Sequence, residues 1–158
     1  MAFFQSEHEI EALVTGFRER TLPEKQWTHE AHLVVGLWHL KNFDLDDATC
    51  RVKSGIVSYN LSLGGQNTGT NGYHETMTLF WMDVLHFFVT TNAELSLLDT
   101  CNQFLESRLA DKTLPFEFYH KETILSPHAR ARAVQPDKKA LSREAFLDLF
   151  PLSSEKLV

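Results

Sequence analysis

Apolar residues in this chain recur at intervals of three and four, and nowhere do they alternate over a strand-length run. The clearest case runs from about Tyr73 to Val89, where Met77, Phe80, Trp81, Val84, Leu85 and Phe88 form one wide apolar face. Ser6 with Glu9 three residues on is a capping-box pattern, and Ile10, Leu13, Val14 and Phe17 then predict a first helix over about 7–20. Thr21-Leu22-Pro23 breaks it. Thr28 caps a second helix with Leu33, Leu37 and Leu40 on one stripe and Val34 and Trp38 beside it. Asp44 opens a third, carrying Val52, Ile56, Tyr59 and Leu63 at helical spacing, and Gly64-Gly65 ends it.

Residues 64–72 are irregular, and a fifth helix is expected over about 93–109 through Leu97, Leu98, Cys101, Phe104, Leu105 and Leu109. Beyond Pro115 the pattern breaks into short pieces. Ser126-Pro127 is an N-cap followed by proline at the first helical position, and Ser142 starts a last short helix with Phe146, Leu147 and Phe150. The pattern predicts an all-α fold, an antiparallel bundle of about five main helices with short C-terminal helices. At 158 residues without a Pro/Gly-rich linker, residues 1–158 read as a single all-α domain.

Composition narrows the function classes. Fifteen basic residues against 21 acidic ones give a net charge of −6, the wrong sign for a general nucleic-acid binder. Lys121, Arg130, Arg132, Lys138, Lys139 and Arg143 nevertheless concentrate in residues 119–143, where a small anion or an acidic partner surface could use them, or a solvated face could balance acidic helices. No apolar run reaches the 18 or so residues of a membrane span, and residues 1–20 carry Glu7, Glu9 and Glu11 in place of a secretory signal. Two cysteines, Cys50 and Cys101, make no disulfide framework, so the expected location is cytoplasmic. The aromatic breadth around Phe80, Trp81, Phe87 and Phe88 is compatible with a homodimer or with central burial in one chain.

Chemistry concentrates in the histidines. Of the eight, His29 and His32 share one helical stripe, and Gly36 leaves a gap beside both. Glycine there costs about 1 kcal/mol relative to alanine, which a closely packed helix or a bound group would explain. His74 follows Tyr73 at the start of another helix and is expected to point inward with Met77, Thr78 and Trp81. In an antiparallel bundle the N-terminal turns of the second and fourth helices lie at one end, bringing His29, His32 and His74 together under residues 64–72. Three imidazoles with an open position describe a divalent-metal site, zinc above others, with Glu75 as fourth ligand or as base for bound water. The same residues could instead line an organic-ligand pocket or hold helix junctions together. His29-Glu30-Ala31-His32 is one residue short of the zinc-protease motif.

Tyr59, Asn60, Asn67, Thr68 and Tyr73 are candidates for positioning a ligand, or for satisfying loop backbone. His128 is a weaker contributor to the cluster, and His8, His39, His86 and His120 read as surface or packing residues. Three segments resemble those of a group of small, uncharacterised bacterial proteins of about this length. They are Trp27 to Leu33, then Asn67-Thr68 with Gly72-Tyr73-His74-Glu75-Thr76, then Ser126 to Arg130. The resemblance implies a complete, small all-α domain and carries no catalytic roles. Two functions follow from the residues: a metal-dependent hydrolase, or a non-enzymatic module holding a small molecule.

Overall fold

The computed structural model describes residues 2–150. Among them lie nine α-helices, two short 3-10 turns and no strand. The main helices are α1 (Glu7–Arg18), α2 (His29–Asn42), α3 (Leu45–Ser62), α4 (Glu75–Thr91) and α5 (Leu97–Glu106). Four short ones follow: α6 (Pro115–Phe118), α7 (Lys121–Ile124), α8 (Pro127–Ala131) and α9 (Arg143–Leu149). No described helix is long and apolar enough to cross a membrane.

Local chemistry explains the boundaries. The side chains of Ser6, Thr28, Asp44, Ser126 and Ser142 each accept a backbone N–H in the first turn of the helix they precede. The fifth helix starts at Leu97, four residues later than its apolar spacing suggests. Ser96 is the cap, and a turn closed by Leu95 N–H to the Asn92 carbonyl precedes it. The fourth helix begins at Glu75 because His74 is its N-cap, in extended backbone conformation.

α2 forms the centre. Every residue from Leu33 to Leu40 is buried, so this stretch of the helix has no solvent face. It packs against α1, α3, α4 and α5. A stripe of leucines understates this, since a helix wrapped on several sides is apolar around most of its circumference. Gly36 permits a close approach to α4: a Cβ there would sit 2.4 Å from Leu85 Cδ1. The apolar face of α4 is covered within the chain. Phe80 meets Phe118, Phe87 meets Phe146, and Phe88 meets Phe104.

Candidate functional site: an apolar cavity with three histidines

A cavity of about 520 Å³ lies between α2, α3 and α4, with Gly72 and Tyr73 at its border. Its wall is mainly apolar, drawn from Leu33, Val52, Ile56, Met77, Trp81 and Leu85. His29, His32 and His74 all line it, together with Trp27, Asn60 and Thr78.

Backbone carbonyls fix the tautomer of each imidazole, because a carbonyl oxygen only accepts and the facing ring nitrogen must carry the proton. His29 donates from Nε2 to the Ala110 carbonyl at 2.8 Å. His32 donates from Nδ1 to the Thr28 carbonyl at 2.6 Å. In their neutral forms, His29 Nδ1 and His32 Nε2 therefore hold lone pairs, and neither has a protein partner among the described residues. The His32 ring lies on Trp27 with centroids 3.7 Å apart, and the His29 ring meets Trp81 edge-on at 5.2 Å. Water reaches the His32 ring, yet protein surrounds it closely enough for desolvation to lower its pKa. Nearby His29 adds to the lowering and the Thr28 carbonyl opposes it.

His74 differs. Its Nδ1 accepts the Met77 N–H at 3.1 Å as the helix cap, and its Nε2 donates to the Ile124 carbonyl at 2.7 Å. Burial lowers its pKa, helped by the charge of Arg130 and opposed by the Ile124 bond. A metal ligand must offer a lone pair, and His74 has none left. The residues present do not fit a three-histidine zinc centre, although all three line one cavity. Among the described residues no group of three or more His, Cys, Asp or Glu side chains is placed to hold a metal ion.

Glu75 is outside the cavity lining. Its carboxylate accepts from Lys53 Nζ at 2.7 Å and from the Tyr73 hydroxyl at 2.6 Å. Burial works against its charge, but these hydrogen bonds and the ammonium of Lys53 outweigh it and hold the carboxyl below its usual range. A carboxylate so engaged is a poor general base. Tyr73 lines the cavity with its hydroxyl already donated, and burial together with Glu75 raises its pKa.

Of the other expected ligand contacts, Asn60 lines the cavity. Tyr59 does not: it is fully buried in the core and donates to the Leu22 carbonyl at 2.8 Å. Asn67 and Thr68 organise the loop instead. Asn67 Oδ1 accepts from the Tyr73 N–H at 2.9 Å, and Thr68 Oγ1 accepts from the Thr70 and Asn71 N–H groups. His128 is exposed on α8, away from the cavity lining. The basic segment is largely engaged within the chain. Arg130 donates to the Gly72 carbonyl at 2.7 Å, and Lys121, Lys139 and Arg143 lie over Phe116, Phe118 and Phe87.

Sequence reasoning missed Trp27, Trp81, Thr78 and Met82 as site residues. Trp27 sits at the exit of the 3-10 turn Glu24–Gln26, outside any helical period, so spacing carries no signal for it. Trp81 reads as part of the broad core face of α4. No family model, curated protein or solved structure matches this chain.

Proposed function

We propose that the domain is a binding module for a small, largely apolar and planar molecule that donates at least one hydrogen bond. The observation that carries this reading is the pair of unclaimed imidazole nitrogens, His29 Nδ1 and His32 Nε2, on residues that line an otherwise apolar, aromatic cavity. Binding sites are typically apolar clefts of about 300–1,000 Å³ with a few polar groups that fix orientation, and about 520 Å³ falls within that range. Trp81 supplies an aromatic surface, while the Trp27 ring stacks on His32 and Phe17 and braces the wall. The lowered pKa of His32 keeps its ring neutral at pH 7, leaving Nε2 an acceptor.

The reading takes the main helices as an antiparallel bundle in which α2 and α4, two elements apart, run the same way. His29 beside Trp81, and Gly36 beside Leu85, support that direction. A hydrolytic metal site with Glu75 as base draws no comparable support, given the partners of His74 and Glu75.

Indole and 1-methylindole test the proposal, since they share a flat apolar body and only indole has an N–H. By titration calorimetry indole is expected to bind saturably and to raise the melting temperature, binding about tenfold more tightly than 1-methylindole. His32→Phe keeps a ring against Trp27 while removing one of the two acceptors, and is expected to shrink the difference. Stabilisation by zinc alone, lost in His74→Ala, would overturn the proposal.

A further inference from the structure

A second recess, of about 240 Å³, lies where the end of α1 meets α2 and α3. Arg18, Arg20 and Arg51 line it, together with Ser54 and Ser58 of α3 and His39 of α2. Three guanidiniums around one small recess are unexpected in a chain of net charge −6. Among the described residues neither Arg18 nor Arg20 forms an ion pair. Arg51 meets Asp47 through Nε at 2.7 Å, which leaves its terminal nitrogens without a carboxylate. Aromatic faces hold two of the three in place: Arg18 lies 5.2 Å from the Trp38 ring centre, and Arg51 lies 4.0 Å from that of Phe43.

His39 supplies the second observation. Its residue is only 3% exposed, and its Nδ1 donates to the Val35 carbonyl at 2.7 Å. Nε2 has no partner. No fully buried side-chain nitrogen or oxygen among the described residues lacks a hydrogen bond, so Nε2 keeps some accessible surface, and His39 lines the recess. A nearly buried imidazole with one free nitrogen thus lines a space ringed by cations.

We propose that this recess binds a phosphate group, free or as a monoester, gripped by Arg18, Arg20 and Arg51 together with His39 Nε2. Guanidiniums match the geometry of phosphate oxygens, and each charge-assisted hydrogen bond adds to the grip. Ser54 and Ser58 line the recess as further donors. The charged groups around His39 are Arg18 at the end of α1, Arg20 just after it, and Arg51 and Asp47 from α3. In the absence of an anion, desolvation first and then Arg18 and Arg51 keep its pKa low, against the Val35 carbonyl and Asp47. A dianion in the recess reverses the local field, so Nε2 takes up a proton and donates to a phosphate oxygen.

The site is independent of the cavity between α2, α3 and α4, and its test is independent too. Histidine ring NMR resonances are followed while inorganic phosphate replaces chloride at constant ionic strength, with His39→Gln assigning the His39 signal. A saturable shift of that signal and a raised His39 pKa are expected. Arg20→Gly removes a guanidinium and also relieves the positive φ of 60° at that residue, so it is not expected to unfold the chain. It and Arg18→Gln are each expected to weaken phosphate at least about tenfold, whereas Lys112→Gln on an exposed turn leaves it unchanged. Tighter binding of glycerol 3-phosphate than of inorganic phosphate identifies a monoester, and the reverse order identifies the free ion. An identical response to phosphate and chloride, or undiminished affinity in both arginine variants, would overturn the proposal.

Discussion

The Nε2–H of His74 donates to the carbonyl oxygen of Ile124 across 2.7 Å of space and 50 residues of sequence. The other ring nitrogen closes the first turn of α4, so one imidazole joins the start of a main helix to the end of α7. His74→Ala removes the cap, worth about 0.5–2 kcal/mol, and strands a buried carbonyl, worth about 1–3 kcal/mol. A combined loss of about 2–4 kcal/mol in urea denaturation is expected. His74→Asn restores a good capping side chain but is too short to reach Ile124, so its loss is expected to be about half as large. Equal losses in the two variants would show that the cap contributes nothing, and an asparagine variant as stable as wild type would show that the tether contributes nothing.

Acidification acts on three histidines in the same direction. His32, His39 and His74 each have a folded-state pKa below 6.5, with desolvation the largest cause in every case. The unfolded chain therefore binds more protons than the folded one between 6.5 and those lowered values. The stability these groups contribute is fully present above pH 6.5 and is lost as pH falls through their folded values. Melting temperatures are expected to fall from pH 7.5 to pH 5 in chloride buffer. His32→Phe, which cannot titrate, is expected to flatten part of that slope. A wild-type profile that stays level across this range would contradict the lowered pKa of these three rings.

Most of the fold is legible because its signals are local. Ser6, Thr28, Asp44, Ser126 and Ser142 declare their caps through short-range chemistry, and helical spacing declares the faces between them. His74 misleads for the same reason. Histidine is rarely read as a cap, so its place before Glu75 suggests an inward ligand, while the bond that occupies its second nitrogen comes from Ile124, far away in sequence. Tyr59 and Glu75 follow suit: a tyrosine or glutamate near a glycine-rich loop looks available until Leu22, Lys53 and Tyr73 claim its polar atoms. The grouping of His29, His32 and His74 around one space follows from helix order, but the partner of each ring nitrogen does not.

Tyr73→Phe separates loop architecture from ligand contact. The hydroxyl donates to Glu75, which still holds Lys53 after the change. A stability loss of about 1 kcal/mol is expected, the usual net worth of one such hydrogen bond. The response to indole should stay within about twofold of wild type, a negligible free-energy change. Loss of that response with unchanged stability would instead assign the hydroxyl to the ligand.

Gly36→Ala addresses the cavity from its packed side. The added methyl would lie 2.4 Å from Leu85 Cδ1 and 3.6 Å from Met82 Sδ, and both residues line the cavity. Overpacking a core costs about 1–3 kcal/mol, whereas alanine in place of helical glycine returns about 1 kcal/mol. Here the clash is with the end of a flexible side chain that has empty space beside it, so Leu85 can turn into the cavity. Net stability is expected to stay within about 1 kcal/mol of wild type, with the strain relieved by lost cavity volume. Indole affinity is expected to drop by about tenfold or more for the same reason. A variant that is strongly destabilised yet binds indole normally would show that Leu85 does not move into the cavity and that the ligand lies elsewhere.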